Sequence, residues 1–464
     1  EVLAMLVWSA AAAPWIFCLG SVDEYMDEIF HAPQTRKYCE GRFSEWDPKI
    51  TTFPGLYVFG AALPNLLGAL SPGSGAATLL CSLSFLRAVN VIFGIGSLLV
   101  MHLLLKRRMS NGKAAAQALV LSMYPIHFFY TFLYYTDVGS LFWVLLTHHL
   151  ATPLPSRGLP SRARIFCASL AGLVAVAFRQ TNAVWVMFTF GTAALADVSA
   201  SDKWGPRLSG SEGGDVGLSI GIIATFIWAL ICELPRLLSR LGTLLLPPAL
   251  FLAFVVVNGA VVVGDHSNHQ AVIHWAQLAY LVAVTTSMWG VFGPQAGISI
   301  GNVKAFGAAC FGGLKAFAIT VLALCGLVYA LHRYSFAHPF LLADNRHYTF
   351  YVWSRFLGRL PGLKEALAPV YLYSAWLCYR RLAGSQSPLW FLIWAIACVL
   401  TLVPAHLLEP RYWTTAVILA HVHGPEQTWL GLASVGIACL LVNLATLWIF
   451  CFKPFAWPGG EMAR

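Results

Sequence analysis

Three carboxylates and a histidine crowd into one polar stretch that directly follows an apolar segment: Tyr25-Met-Asp27-Glu28-Ile-Phe-His31, then Trp46-Asp47-Pro48-Lys49-Ile-Thr-Thr-Phe-Pro54-Gly55-Leu-Tyr57. In a chain that is 58% hydrophobic and 11% charged, ionisable groups held against lipid are costly and generally mark chemistry. On a short helix Asp27 and Glu28 lie four and three residues before His31, so one face presents carboxylate and imidazole together. The alternative is an acidic helix turn in water. Asp47-Pro48 with Pro54-Gly55 reads either as a rigid turn aiming a carboxylate inward or as a helix cap. Carboxylates so placed suit a general base that takes a proton from a hydroxyl.

The elements that must carry these groups are membrane helices. A mean hydropathy of +0.70, with 17 Trp and 30 Phe in 464 residues, is more apolar surface than a soluble domain of this length hides. Repeated apolar runs are each long enough to cross about 30 Å of hydrocarbon as a helix. The expected fold is an all-α polytopic membrane protein, one domain over 1–464. The net charge of +9 sits in short loops, where it signals topology and excludes a nucleic-acid partner. The eleven cysteines have no CxxC spacing and mostly fall in apolar runs, as Cys18, Cys167, Cys310, Cys325 and Cys398 do, so they read as small buried apolar residues. The run Val2 to Gly20 lacks a clear cleavage site and reads as a retained helix.

Lys106, Arg107, Arg108, Lys113, Arg157, Arg162, Arg164, Arg380 and Arg381 flank spans and are expected in the cytoplasm, which places the acidic loop on the other side. If 51–70 crossed the membrane, the next helix would carry Lys106 to Arg108 to the wrong face, so 51–70 is expected to lie at the luminal interface. Further spans are expected near 86–105, 114–132, 134–150, 165–178, 182–198, 243–263, 273–290, 308–331, 366–382, 389–407 and 429–451, about twelve crossings in all with the first run. Residues 21–85 form the luminal first loop with its interfacial helices. A cytoplasmic linker occupies 199–241, with 216–232 interfacial or re-entrant, and a second luminal loop occupies 332–365.

With that topology polar motifs collect on one face, which suggests a site between helices with lateral lipid access. They are the first loop, Tyr134-Tyr135-Thr-Asp137, Arg179-Gln-Thr-Asn182, Asp265-His266 with His269, Asp344-Asn345-Arg346-His347-Tyr348 and Glu409-Pro-Arg411-Tyr412. Arg346 and His347 ahead of aromatic residues suit a phosphate held beside a lipid or sugar, or an interfacial aromatic belt. Arg179 needs a counter-charge, for which Asp137 and Asp265 are candidates. Arg411 pairs locally with Glu409. His266 and His269 read as loop histidines rather than metal ligands, because no third ligand has recognisable spacing.

Taken together, Tyr25 to His31, Trp46 to Tyr57, Arg179 to Asn182, Val257-Asn-Gly-Ala with Gly264-Asp265, and Leu342 to Trp353 closely resemble the dolichyl-phosphate-glucose alpha-1,2-glucosyltransferases of N-glycan assembly, from about residue 22 to Trp457. The stretch 199–215 does not match. The resemblance implies a multi-pass protein of the endoplasmic-reticulum membrane in the integral-membrane C superfamily, with a luminal site. The implied reaction is inverting transfer of glucose from dolichyl-phosphate-glucose to a dolichyl-diphosphate-linked oligosaccharide, with membrane lipids as further partners. Under that reading Asp27 is the base, Glu28 orients it or the acceptor, and Asp47 is second choice. Arg346, His347, Arg179 and Arg411 meet the donor phosphate. His31, Tyr135, Asp137, Asp265, Asp344, Asn345, Tyr348 and Trp353 contact substrate. No cofactor is required, since Arg and His can supply the positive charge; the sequence does not decide metal dependence. The alternatives are another polyprenyl-phosphate hexosyltransferase, or a lipid or sugar transporter, which would show corresponding halves and midplane charges.

Overall fold

A computed structural model describes residues 2–20, 22–70, 80–153, 160–209, 217–264, 271–290, 297–336, 348–453, 455–456 and 462–463. Apart from a two-residue strand pair at Phe455–Ala456 and Met462–Ala463, the described structure is helices and their connections. The chain falls into two compact units, residues 1–268 with 439–464, and residues 269–438.

The first unit contains α1 (Val2–Leu19), α2 (Glu28–Cys39), α3 (Gly55–Leu70), α4 (Leu83–Leu105), α5 (Asn111–Ser122), α6 (Pro125–Thr131), α7 (Thr136–Ala151), α8 (Arg162–Phe178), α9 (Asn182–Ser199), α10 (Gly205–Ser209), α11 (Ile220–Cys232), α12 (Leu234–Leu241) and α13 (Leu246–Asn258). Its central packing is α7 on α8 and α4 on both α5 and α7, with α2 lying on α3 and α3 on α8. The core beneath the first loop is aromatic and aliphatic: Tyr38, Ile50, Leu56, Tyr57, Leu86, Phe93, Tyr134, Val138 and Phe178. Gly55 opens α3 directly against α8, where a Cβ would lie 2.5 Å from the Ala177 carbonyl oxygen.

The second unit contains α14 (Ala276–Ser287), α15 (Ile300–Phe311), α16 (Leu314–Tyr334), α17 (Tyr348–Val352), α18 (Leu363–Ala366), α19 (Ala368–Ser385), α20 (Pro388–Leu402) and α21 (Thr414–His423). Packing centres on α14 against α19, with Trp289, Leu377 and Cys378 at its core. Helix α22 (Trp429–Phe452) contributes residues to both units.

Among the described residues four helical segments are long and apolar enough to cross a membrane: Leu83–Leu105, Leu234–Asn258, Leu314–Tyr334 and Trp429–Phe452. Helix α16 is apolar with nearly every side exposed, including Leu322 at 72% and Ile319 at 57%, the pattern of a helix meant for lipid.

Several expected boundaries move, each for a local reason. Residues 114–132 form two helices, because Pro125 has no N–H to continue the ladder and holds Tyr124 at ψ 121°. The helix expected to 263 stops at Asn258, where Gly259 caps it in the left-handed region at φ 71°. The run expected from 308 breaks at Gly312-Gly313, the latter at φ 154°, and restarts at Leu314.

The cysteine expectation needs correcting. Cys39 and Cys81 form a disulfide across 42 residues, stapling the end of α2 to the approach to α4. Cys310, Cys378, Cys398 and Cys439 are buried as expected, whereas Cys167 and Cys325 are exposed on apolar helices. The Cys18 side chain lies outside the described residues. Spacing gave no sign of the pair, because a disulfide needs only Cα atoms at bridging distance in the fold, here 6.6 Å.

Closing a loop of this length removes about 4 kcal/mol of chain entropy from the unfolded ensemble. Cys39→Ser and Cys81→Ser should each lower the thermal midpoint followed by intrinsic fluorescence, and each should abolish the mobility difference between reduced and non-reduced protein. An unchanged midpoint would mean that the loop is held by its non-covalent contacts alone.

Candidate active site

The first loop enters α2 through a strained residue. Met26 has φ 49°, a conformation that costs an unbranched non-glycine residue about 1–2 kcal/mol. Glu28 makes the turn worthwhile: its carboxylate accepts the Tyr25 N–H at 2.8 Å across that residue and the Tyr134 N–H at 2.6 Å from the α6–α7 connection. Arg87 of α4 completes the arrangement, donating through Nε at 3.0 Å and a terminal nitrogen at 2.6 Å to the two Glu28 oxygens. It also donates to the carbonyls of Val22 and Asp23 at 2.8 and 2.9 Å. Glu28 is fully buried and the Arg87 side chain is 5% exposed.

Asp27 stands one residue away in a different environment. It is half-buried at the N-cap position of α2 without capping that helix through its side chain. Its backbone N–H donates to the Tyr135 hydroxyl at 2.8 Å, and that hydroxyl donates to the Tyr25 carbonyl at 3.1 Å. The Tyr135 ring packs edge-on against His31, centroids 5.6 Å apart. His31 Nδ1 lies 2.8 Å from the Tyr57 hydroxyl. Burial pushes the Tyr57 phenol well above its ordinary value, with the nearby Asp27 charge adding in the same direction. It therefore stays protonated and can donate to His31. Asp27, His31, Tyr57 and Tyr135 thus form one assembly.

Asp47 is held by a different residue of α2. Gln34 of α2, 1% exposed, accepts the Asp47 N–H at 3.0 Å and donates to the Glu45 carbonyl at 2.7 Å. The half-buried carboxylate accepts the Lys49 N–H at 2.9 Å, closing an Asx turn rather than capping α3. Gln180 donates to the Thr51 carbonyl at 2.6 Å, and so does the Val263 N–H at 3.2 Å. Gly264, at φ 80°, approaches Pro48 and Ile50 so closely that a Cβ would lie 2.5 Å from each carbonyl oxygen.

The Arg179 motif divides its labour. Arg179 forms an ion pair with Asp137, which supplies the expected counter-charge; Gln180 holds the Asp47 turn; and Asn182 joins α7 to α8 through Ser140 Oγ and the Ala175 carbonyl, both at 2.7 Å. In the second unit Arg411 pairs with Glu409 as expected, while Tyr348 and Trp353 are partly buried. Asp265, His266, His269, Asp344, Asn345, Arg346 and His347 lie outside the described residues.

Glu28 has both oxygens committed to Arg87 and backbone N–H groups, which makes it a positioning residue. Tyr135, 1% exposed, engages the Asp27 N–H and the Tyr25 carbonyl through its hydroxyl. Reasoning from sequence missed Arg87 and Asn90, whose amide donates to the Leu133 and Tyr135 carbonyls at 2.6 and 2.7 Å. The available signal was an arginine and an asparagine one turn apart in an apolar run, which demands buried partners.

Comparison with known proteins identifies the family. The model of the DIE2/ALG10 family matches residues 21–422. The Dol-P-Glc:Glc(2)Man(9)GlcNAc(2)-PP-Dol alpha-1,2-glucosyltransferase of Mus musculus is 33% identical over 95% of this chain and 92% of its own length. The protein of that name in Homo sapiens is also 33% identical, over 95% and 92%. That of Arabidopsis thaliana is 30% identical over 97% of both chains. No solved structure matches. The matched stretch begins just ahead of the acidic loop and carries every described site residue, and the chain belongs to the DIE2/ALG10 family.

Proposed function

We propose that this protein transfers glucose from dolichyl-phosphate-glucose to the diglucosylated, dolichyl-diphosphate-linked oligosaccharide, forming its terminal alpha-1,2 linkage with inversion. The observation that carries the reaction is the near full-length identity to relatives bearing that activity's name. In a single displacement the acceptor hydroxyl attacks the anomeric carbon through an oxocarbenium-like transition state while one carboxylate takes its proton. The leaving phosphate is a weak base that needs nearby positive charge rather than an acid. Asp27 is the base in this reading. It alone of the adjacent acids keeps its carboxylate out of the buried ion pair, and its main chain is held by Tyr135. Asp47 is second in line, since one of its oxygens already closes a turn. The donor phosphate falls to Arg346 and His347, with Arg179 and Arg411 behind them; His31, Asp137, Asp265, Asp344, Asn345, Tyr348 and Trp353 remain the substrate-side candidates.

The protein belongs in this reading to the endoplasmic-reticulum membrane, with about twelve crossings, α3 at the luminal interface and the first loop luminal. The Cys39–Cys81 disulfide supports that placement, because such bonds persist in oxidising compartments.

The adjacent acids should give opposite phenotypes. Asp27→Asn is expected to yield folded, donor-binding protein whose transfer of glucose to the lipid-linked acceptor in liposomes falls by about 10²–10⁴-fold. Full activity in this variant would move the base role to Asp47 and be tested with Asp47→Asn. Glu28→Gln and Arg87→Met should instead fail to accumulate or melt early, because stranding one member of a buried pair costs about 3–5 kcal/mol; size-exclusion profile and thermal midpoint read this out. Well-folded, stable variants at both positions would refute the positioning role.

A further inference from the structure

Helix α4 carries Arg87 near one end and reaches the far side of the first unit after 23 residues, about 35 Å at the helical rise. Two guanidiniums converge there on one oxygen. Arg107, just past α4, donates through a terminal nitrogen to the His149 carbonyl at 2.9 Å, and Arg164, in the first turn of α8, donates to the same oxygen at 2.7 Å. Their terminal nitrogens are no farther apart than two hydrogen bonds laid end to end, about 6 Å. Arg107 is otherwise occupied with the His149 ring and the Thr152 carbonyl. Arg164 makes no side-chain hydrogen bond other than the one to His149 among the described residues, so Nε and its second terminal nitrogen keep donors to spare.

Capping the last carbonyls of α7 accounts for one arginine. It does not account for two half-buried cations held together, neither paired with a carboxylate among the described residues. Burial draws the Arg107 guanidinium down to about 10, with Arg164 repelling it further, and burial draws Arg164 down as well. The positive end of the 17-residue helix α8 adds to the same field, and Lys106 acts on His149 from beside them.

We propose that Arg107 and Arg164 form a binding site for a phosphate group at the membrane face opposite the acids, the two cations supplying charge and the spare donors of Arg164 supplying N–H groups that phosphate oxygens accept. The group comes either from an anionic lipid headgroup or from free phosphate. The site is independent of the glucosyl-transfer reading.

The test uses full-length protein in nanodiscs of phosphatidylcholine with or without phosphatidic acid, lipid retention being measured by native mass spectrometry after extraction. Wild type should retain phosphatidic acid preferentially. Arg164→Gln should weaken retention about fivefold, the double variant Arg107→Gln/Arg164→Gln about 25-fold, and Arg107→Lys/Arg164→Lys far less. Displacement by millimolar inorganic phosphate would identify the phosphate group alone as the ligand; retention in its presence would identify the lipid headgroup. If the double glutamine variant does not fold, Arg164→Gln, which removes one hydrogen bond, decides. Equal retention by wild type and a folded glutamine variant overturns the proposal.

Discussion

A carboxylate with no access to water must be answered by hydrogen-bond donors, and the Glu28–Arg87 pair meets that condition. Desolvating two charges is expensive, so a bare ion pair would not hold this site together. Two Arg87 contacts and two backbone N–H groups satisfy Glu28, while the remaining guanidinium donors take the Val22 and Asp23 carbonyls. The pair therefore gathers the end of the first apolar run, the entry to α2, the α6–α7 connection and α4 at one point. The left-handed Met26 is tolerable only because these partners over-determine the turn around it.

The position of Asp27 follows from that anchor. Neighbours on a helix point about 100° apart, so with Glu28 turned inward Asp27 stands half-buried at the edge. Tyr135 transmits the constraint by holding the Asp27 main chain, while His31 and Tyr57 build the wall beside it. Two neighbouring carboxylates thus come to stand in different surroundings, one paired in the interior and one half-buried at the edge. The Asp47 turn hangs on the same helix α2 through Gln34, with Gln180 holding the Thr51 carbonyl that follows it.

Helix α4 also separates two kinds of electrostatics. At one end a buried arginine is fully answered by a carboxylate; at the other, two half-buried arginines have no carboxylate partner among the described residues. Rules of membrane topology expect cations at that end, but they require only charge near the interface, not two guanidiniums converging on one carbonyl.

Composition and periodicity determined the class of this protein: apolar runs must become helices where no water satisfies the backbone, and the helices α7, α8, α9 and α19 lie within a few residues of where the runs put them. The acidic loop, the Arg179 motif and the local pairing of Arg411 with Glu409 were legible because residue type and short spacing carry that information. What the tertiary structure alone decided is which of Asp27 and Glu28 is spent on architecture, that Asp137 answers Arg179, and that Cys39 meets Cys81. Each depends on residues 42 to 59 positions apart in the chain. Burial and partnership over such separations are properties of packing, and local sequence does not encode them.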